Sequence, residues 1–352
     1  MTVSGALGTT SVEVVDLIDH ALRKIGNPTP VITAEMMEAA RRNLFFITRS
    51  LGNKGIPLWC RNPILFPSVV GQARYTLPTG TVKVLNAARR TLSRLSSSSA
   101  TVAASEGTAA NAFDDDYTTI CTQTTALGNI SATLGTATQI STVGYLPGAT
   151  GAVTLVWESS ADGTTWDTLL TVDLQAVDSL WWVADLPDAV TASYWRVRAT
   201  SGTLVAREVL FGYSPSDIPM GRLNWDDYNN MPNKAQPGDS LQYALDRQRD
   251  APQLVTWPVS QTQDNLFLVY VQRQIMDVTA LSGTLDVPQY WYEPIIYQLA
   301  ERMIDELPGQ IDQARLQHVR ERGERLTTDA WNAEVDSSPI RLLPPIRRYT
   351  RG

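Results

Sequence analysis

Two pairs of amphipathic helices stand at opposite ends of this chain, and neither pair can bury its apolar stripe alone. Near the start, Thr10–Gly26 carries Val15, Ile18, Leu22 and Ile25 at three- and four-residue steps. Thr10 and Glu13 form a capping box there, and Gly26 is the stop. Thr33 is the expected N-cap of a second helix with Met37, Ala40, Leu44, Ile47 and Leu51 on one face, ending at Gly52. Near the other end, Pro288–Leu307 places Tyr292, Ile295, Ile296, Leu299 and Met303 together, and Pro294, which has no N–H to donate, marks its first turn. Ile311–Val335 follows with a narrow seam of Leu316, Val319, Gly323, Leu326, Ala330 and Ala333. The first and last thirds therefore belong to one fold, and whatever lies between must leave and re-enter it at nearby points.

The intervening stretch has another character. No lysine occurs between Lys83 and Lys234, and a dozen carboxylates face only Arg196, Arg198 and Arg207. Helical periodicity disappears there. Short strands are expected instead at Ile130–Leu134, Ile140–Tyr145, Val153–Ser159, Thr168–Val172, Leu180–Val183, Tyr194–Ala199 and Val205–Tyr213, divided by turns such as Pro147–Gly148 and Asp162–Gly163. That spacing reads as a β-sandwich. Outside it, small strands are expected at Ala73–Leu77 and Val82–Leu85, and Leu254–Trp257 with Leu266–Val271 as an antiparallel pair. The expected class is α+β in two domains: a discontinuous helical-bundle host over 1–94 and 214–336, an all-β sandwich inserted over 95–213, and an extended arm over 337–352.

The bulk numbers exclude several functions. A net charge of −7 with a pI near 5.0 argues against a protein that coats DNA. No run approaches the ~18 apolar residues of a membrane span, so no membrane anchor is expected, and the N-terminus lacks the basic start of a secretory signal. Cys60 and Cys121 fall in regions of different character and are read as reduced thiols. The two histidines, His20 and His318, both sit in helical patterns and read as helix-surface residues rather than general bases. Asp226–Asp227 and Asp114–Asp116 are the conceivable carboxylate pairs for glycosidase-like chemistry, but adjacent acids more often form turns. No enzyme and no cofactor is expected. Asp114 and Asp116 could hold Ca²⁺ on a tight turn, the alternative being a solvated Asx turn. Trp181 and Trp182 point to opposite faces of a strand, so one of them is expected to face outward as a contact for a ligand or partner. The tail from Ser337 cannot be helical through Pro339, Pro344 and Pro345, yet Ile340, Leu342, Leu343 and Ile346 are apolar and Arg341, Arg347 and Arg348 are basic. An arm laid on a partner explains both facts; disorder is the alternative.

The order of elements resembles the head-to-tail adaptor (connector) proteins of tailed phages, above all the short-tailed ones. The resemblance runs over roughly 10–90 and 215–340: Ala21–Gly26 near the start, then small strands, Tyr243–Gln248, Pro252–Pro258, Tyr292–Ala300, a long helix and a Pro- and Arg-rich end. It implies a virion protein at the neck of the particle, assembled in the bacterial cytoplasm as a ring of usually about twelve copies. The implied partners are the portal protein, docked by the arm, tail nozzle or fibre proteins, and genomic DNA passing through without sequence-specific contact. The middle stretch resembles discoidin-like (coagulation factor type C) domains and related carbohydrate-binding modules, through Ala112–Thr119, Glu158–Trp166, Tyr194–Arg198 and Arg207–Tyr213. Asp115 stands where that family usually has Gly, and Ile120–Cys121 where a Trp is common. The resemblance implies that Trp166 and Trp195 are core residues and that the sandwich decorates the ring or contacts fibres and neighbours. A carbohydrate-binding or peptidoglycan-acting tail component, with the sandwich as the working part, is the rival reading.

Overall fold

The computed structural model describes residues 12–26, 33–54, 58–123, 128–249, 251–262, 265–278, 280–306 and 313–334. Among these the chain is α+β, with a mostly antiparallel set of strands and five α-helices. It divides into two compact units, one made of the chain's two ends (1–61 and 273–352) and one of the stretch 62–272.

The helical unit is built from α1 (Val14–Lys24), α2 (Ala34–Lys54), α4 (Tyr292–Glu306) and α5 (Gln313–Ala333). Their stripes meet in a single core: Leu17, Ile18, Leu44, Ile47, Leu51, Trp291, Ile295 and Leu299 are all fully buried. Helix α1 starts later than its capping-box spacing predicts. Glu13 is the extended N-cap residue, makes no side-chain cap bond and bridges to Thr284, while Thr10 lies outside the described residues. Thr33 does cap α2, its Oγ1 accepting from the Met36 N–H at 3.2 Å, but that helix runs through Gly52 to Lys54. In α5 the seam is Val319, Gly323, Thr327 and Ala330; Ala333, expected on it, is exposed. Thr327 serves because its hydroxyl bonds the Gly323 carbonyl at 2.7 Å and takes the Gln298 amide at the same distance.

The strand unit holds β1 (Arg61–Pro67), β2 (Arg74–Thr76), β3 (Thr81–Arg94), β4 (Thr101–Ala104), β5 (Cys121–Thr122), β6 (Asn129–Pro147), β7 (Gly151–Ser160), β8 (Asp167–Ala176), β9 (Trp182–Ser201) and β10 (Val205–Pro219). After these come β11 (Gly221–Arg222), the short α3 (Trp225–Asn229), β12 (Pro237–Gly238), β13 (Gln242–Asp246), β14 (Gln253–Trp257), β15 (Val259–Ser260) and β16 (Asn265–Arg273). Strands expected separately at 130–134 and 140–145 are one strand, β6, and those at 180–183 and 194–199 belong largely to β9. Register shifts between Thr133 and Thr138 and between Ile140 and Thr142 let this pair bend without breaking. The sheet order is β1-β16-β3-β10-β6-β9-β7-β8, with β4 also on β6 and β5 on β10. It folds over one core of Trp157, Trp195, Phe113, Phe211, Tyr145 and Leu155, which makes the sandwich.

A second core in this unit gathers Tyr75, Leu77, Val84, Met220, Leu254 and Phe267. Here one pairing differs from expectation. β14 lies between β13 and β2, whereas β16 lies between β1 and β3, so the two are not neighbours in a sheet. They face each other across the core instead, Leu254 from one and Phe267 from the other. Long β3 and β10 join both regions: Gly212 pairs with Arg94 and Tyr213 with Ser93, and the ladder continues to Pro219 and Ala88. The buried Arg90 pins this ladder, reaching Asp185 at 2.7 Å and Asp217 at 2.6 Å.

Candidate functional site

Two places in the sandwich concentrate polar side chains beyond what packing needs. The first is the turn Asp114–Thr119. The Thr119 hydroxyl sits among four oxygens: 3.2 Å from the Asn111 carbonyl, 3.2 and 3.0 Å from the two Asp114 carboxylate oxygens, and 3.0 Å from the Asp116 carbonyl. Asp115 takes the left-handed conformation, φ 58°, for which a glycine is the usual choice and Asp a tolerated one. The Asp116 carboxylate turns back to Thr118, accepting from its N–H at 3.0 Å and its hydroxyl at 2.6 Å, which holds it below the usual carboxylate range. So Asp114 aims its carboxylate into the cluster, whereas Asp116 contributes its carbonyl.

Glu208 of β10 completes this corner. It is 4% exposed, and its Oε2 has no partner. Burial, with the nearby charges of Asp115 and Asp114 adding to it, pushes its carboxyl up to about 8, while Arg94 and a backbone bond from Asp115 pull the other way. Around neutrality it is mostly a neutral acid. Carbonyl, hydroxyl and carboxylate oxygens are the donors a hard cation takes, but the point on which these converge is the Thr119 hydroxyl itself, so a cation would have to sit beside it. Among the described residues no three His, Cys, Asp or Glu side chains gather as a metal cluster, so such a site would lean on carbonyl and hydroxyl oxygens.

The second place is the outer face of the sheet. Tyr194, Arg196 and Arg198 alternate with the buried Trp195 and Val197 and so share that face. Opposite them on β6 stand Thr133, Ser131 and Asn129. Glu158 of β7 is 4% exposed and accepts from Arg196 Nε and from Arg198, at 3.2 Å for Nε and 2.9 Å for Nη2. Although burial raises it, the two guanidiniums win and hold Glu158 below the usual range. Trp166, at the end of the β7–β8 turn, lies 3.9 Å from the Arg196 guanidinium. It is half-buried on this face, not the core residue that the resemblance implied; Trp195 is fully buried.

Trp181 and Trp182 do diverge, but neither faces freely outward. Trp182 stacks on Trp157 over the sandwich core, and Trp181 packs on Val183, Leu210 and Leu266 with its edge on Tyr117. Both sides of this strand are covered, and the exposed apolar side chains beside it are Val177 and Leu180. Asp227 lines an open cleft of about 640 Å³ with Arg222, Trp225, Asp246 and Arg247, but Asp246 is taken by Arg74 at 2.9 Å. Asp226 and Asp227 lie in the first turn of α3, capped by Asn224. His20 and His318 are exposed on α1 and α5. Cys60 and Cys121 are free and buried, and burial pushes the Cys60 thiol up to about 11. Ile340, Arg341, Leu342, Leu343, Ile346, Arg347 and Arg348 lie outside the described residues.

Scanned against protein-family models, the chain matches none. No curated protein matches it either. Solved structures do. One is CpGH89CBM32-5 from Clostridium perfringens, in complex with GalNAc-beta-1,3-galactose, at 18% identity and TM-score 0.32 over 35% of this chain and 100% of that one. Another is the family 32 CBM from C. perfringens NanJ in complex with galactose, at 16% identity and TM-score 0.31 over 35% and 99%. A third is chitosan-binding module 1 from a Paenibacillus sp. IK-5 chitosanase/glucanase, at 25% identity and TM-score 0.29 over 33% and 96%. The likeness covers about a third of this chain, the extent of a discoidin-like β-sandwich. At such scores it says nothing of what this chain binds.

Proposed function

We propose that this protein acts by binding and assembly, as a head-to-tail adaptor of the tailed-phage kind that forms a ring beneath a portal and carries a β-sandwich on its strand unit. The observation that carries the reading is in the helical unit. Both chain ends return to one core, yet α2 leaves Phe45 and Phe46 44% and 53% exposed beside Val278 and Asp277. Adjacent exposed phenylalanines mark a contact surface more often than a free monomer face. The arm from Ser337, with Ile340, Leu342, Leu343 and Ile346 to bury and Arg341, Arg347 and Arg348 to pair, is the part that would fasten to the portal. The adaptor would reside in the virion neck after assembly in the host cytoplasm, with tail nozzle or fibre proteins as further partners. Light scattering and negative-stain images of the full chain with portal-bearing heads test this. Rings that attach to heads, and a Phe45→Ser/Phe46→Ser variant that stays monomeric, are expected; a monomer that ignores portals at every concentration overturns the reading.

A second reading, that the sandwich takes a carbohydrate, is favoured by the outer face of Tyr194, Arg196, Arg198 and Trp166, where aromatic rings and hydrogen-bond donors lie side by side. It rests on these residues and not on the modules named above. On either reading Asp114, Thr119, the Asn111 and Asp116 carbonyls and Glu208 would hold a hard cation, which would brace the turn against β10. The two readings are compatible, since a ring subunit can display a binding module.

A further inference from the structure

We propose that the outer face of the sandwich is a binding site for an acidic glycan, with the Arg196 guanidinium receiving the carboxylate of a uronic-acid residue. The proposal deepens the carbohydrate reading and does not depend on the ring.

Charge placement is the first support. Arg196, Arg198 and Arg207 are the only cationic residues between Arg94 and Arg222. Arg207 is spent on Asp178, at 2.9 Å. The other two stand together on one half-buried strand face, sharing the single charge of Glu158. This pair keeps a net positive charge on an otherwise acidic module, so an anion approaching the sandwich is drawn to this point.

Preorganisation is the second. Arg196 is fixed from two sides, its Nε–H donated to the buried Glu158 and its guanidinium carbon lying over the Trp166 ring, 3.9 Å from the centroid. Its terminal Nη groups have no acceptor among the described residues. A guanidinium held in place with two N–H groups free is the fork that carboxylates accept in a bidentate way. Little rotamer freedom is left to lose on binding.

The surroundings fit a pyranose rather than an acidic peptide. Tyr194 lies one step along the same face, its ring 3.0 Å from where a side chain on Gly163 would begin. Ser131 pairs with Arg196 across the sheet, its hydroxyl bonding the Ala103 carbonyl at 3.2 Å. Aromatic rings beside guanidinium donors and a hydroxyl that can still accept suit the alternating apolar and hydroxyl-bearing faces of a sugar ring, while a peptide would seek an open strand edge, and this strand is paired on both sides.

The full chain is titrated with trigalacturonate and with the neutral galactose trisaccharide, by calorimetry at low and high salt. Preference for the acidic sugar by about tenfold or more is expected, shrinking as salt screens the charge. Trp166→Ala and Arg196→Lys should each weaken acidic-sugar binding severalfold, while Arg207→Lys leaves it unchanged; the lysine keeps the charge beside Glu158, so the fold survives and only the fork is lost. Equal affinity for the neutral sugar, or binding indifferent to both variants, overturns the site. Binding of neither sugar overturns it too, and leaves the ring reading to stand on its own images.

Discussion

The fold raises the carboxyl of Glu208 far above its ordinary range. In the unfolded chain it ionises near 4.5, and in the sandwich only near 8, because ionising it would place a charge in a buried corner already shared by Asp114 and Asp115. Below about pH 4.5 both states hold the proton and nothing is lost. Between there and about 8 the unfolded chain has released a proton that the folded one keeps, so stability falls as pH rises, by on the order of 4–5 kcal/mol in all. Glu208→Gln keeps the shape without the titration. Urea unfolding followed by tryptophan fluorescence should show wild type losing stability from pH 5 to 8 relative to this variant; parallel curves would mean that Glu208 is not held protonated. Calcium reverses the logic, since a cation favours the ionised form: wild type should gain thermal stability with added Ca²⁺, and Glu208→Gln should gain much less. The turn Asp114–Thr119 was legible from its own spacing. Glu208 was not, because nothing within Arg207–Tyr213 tells which distant loop will fold over that carboxylate. Trp166 was misread for a related reason, its place being set by Arg196 on another strand.

At the scale of elements, period carried the reading where burial is one-sided. The helical stripes of α2 and α4 fall where their three- and four-residue steps put them, since each helix buries one face in a common core, whereas in α1 Ile18, Leu22 and Ile25 are buried as expected but Val14 and Leu17 take the place of the half-buried Val15. Strand fragments were placed but cut short, because bulges at Thr133–Thr138 and Ile140–Thr142 interrupt alternation without ending β6. Which strand neighbours which is a long-range choice, and the expected pairing of 254–257 with 266–271 failed there: alternation marks a strand but not its partner. Gly323 shows what a small residue on a narrow seam is for. A Cβ built on it would lie 3.3 Å from the Tyr297 Cβ, so α4 and α5 approach closely at that point. Gly323→Leu forces the pair apart and should destabilise the helical unit by roughly 1–3 kcal/mol, overpacking outweighing the gain in helix propensity. A fall in the helical melting transition at 222 nm, with the tryptophan-reported transition of the sandwich unmoved, is the expected result. An unchanged helical transition would show that the seam has room.

On the scale of the whole molecule, the decisive geometry is where the sandwich joins its own unit. The composition break near Arg94 and Tyr213 coincides with two strands already side by side, Arg94 paired to Gly212 and Ser93 to Tyr213. Replacing Leu95–Phe211 with Asn-Gly therefore turns β3 and β10 into an ordinary two-residue hairpin. The cost can be traced residue by residue. Leu65, Leu92 and Leu266 lose the cover of Trp181, Val183 and Leu210, and Arg90 loses Asp185 but keeps Asp217. The core of Tyr75, Leu77, Met220, Leu254 and Phe267 keeps every member, as does the helical core of Leu17, Leu44, Trp291 and Leu299. Adding Leu92→Thr offsets the newly bared surface on a sheet face that becomes solvent-exposed. The shortened chain should keep its full helical circular dichroism and a cooperative melt, and on the adaptor reading should still attach to portal-bearing heads while losing any binding of acidic glycan. Loss of the helical signal would mean that the helical core needs the inserted strands to form, and that the sandwich is part of the body of the protein and not a module carried by it.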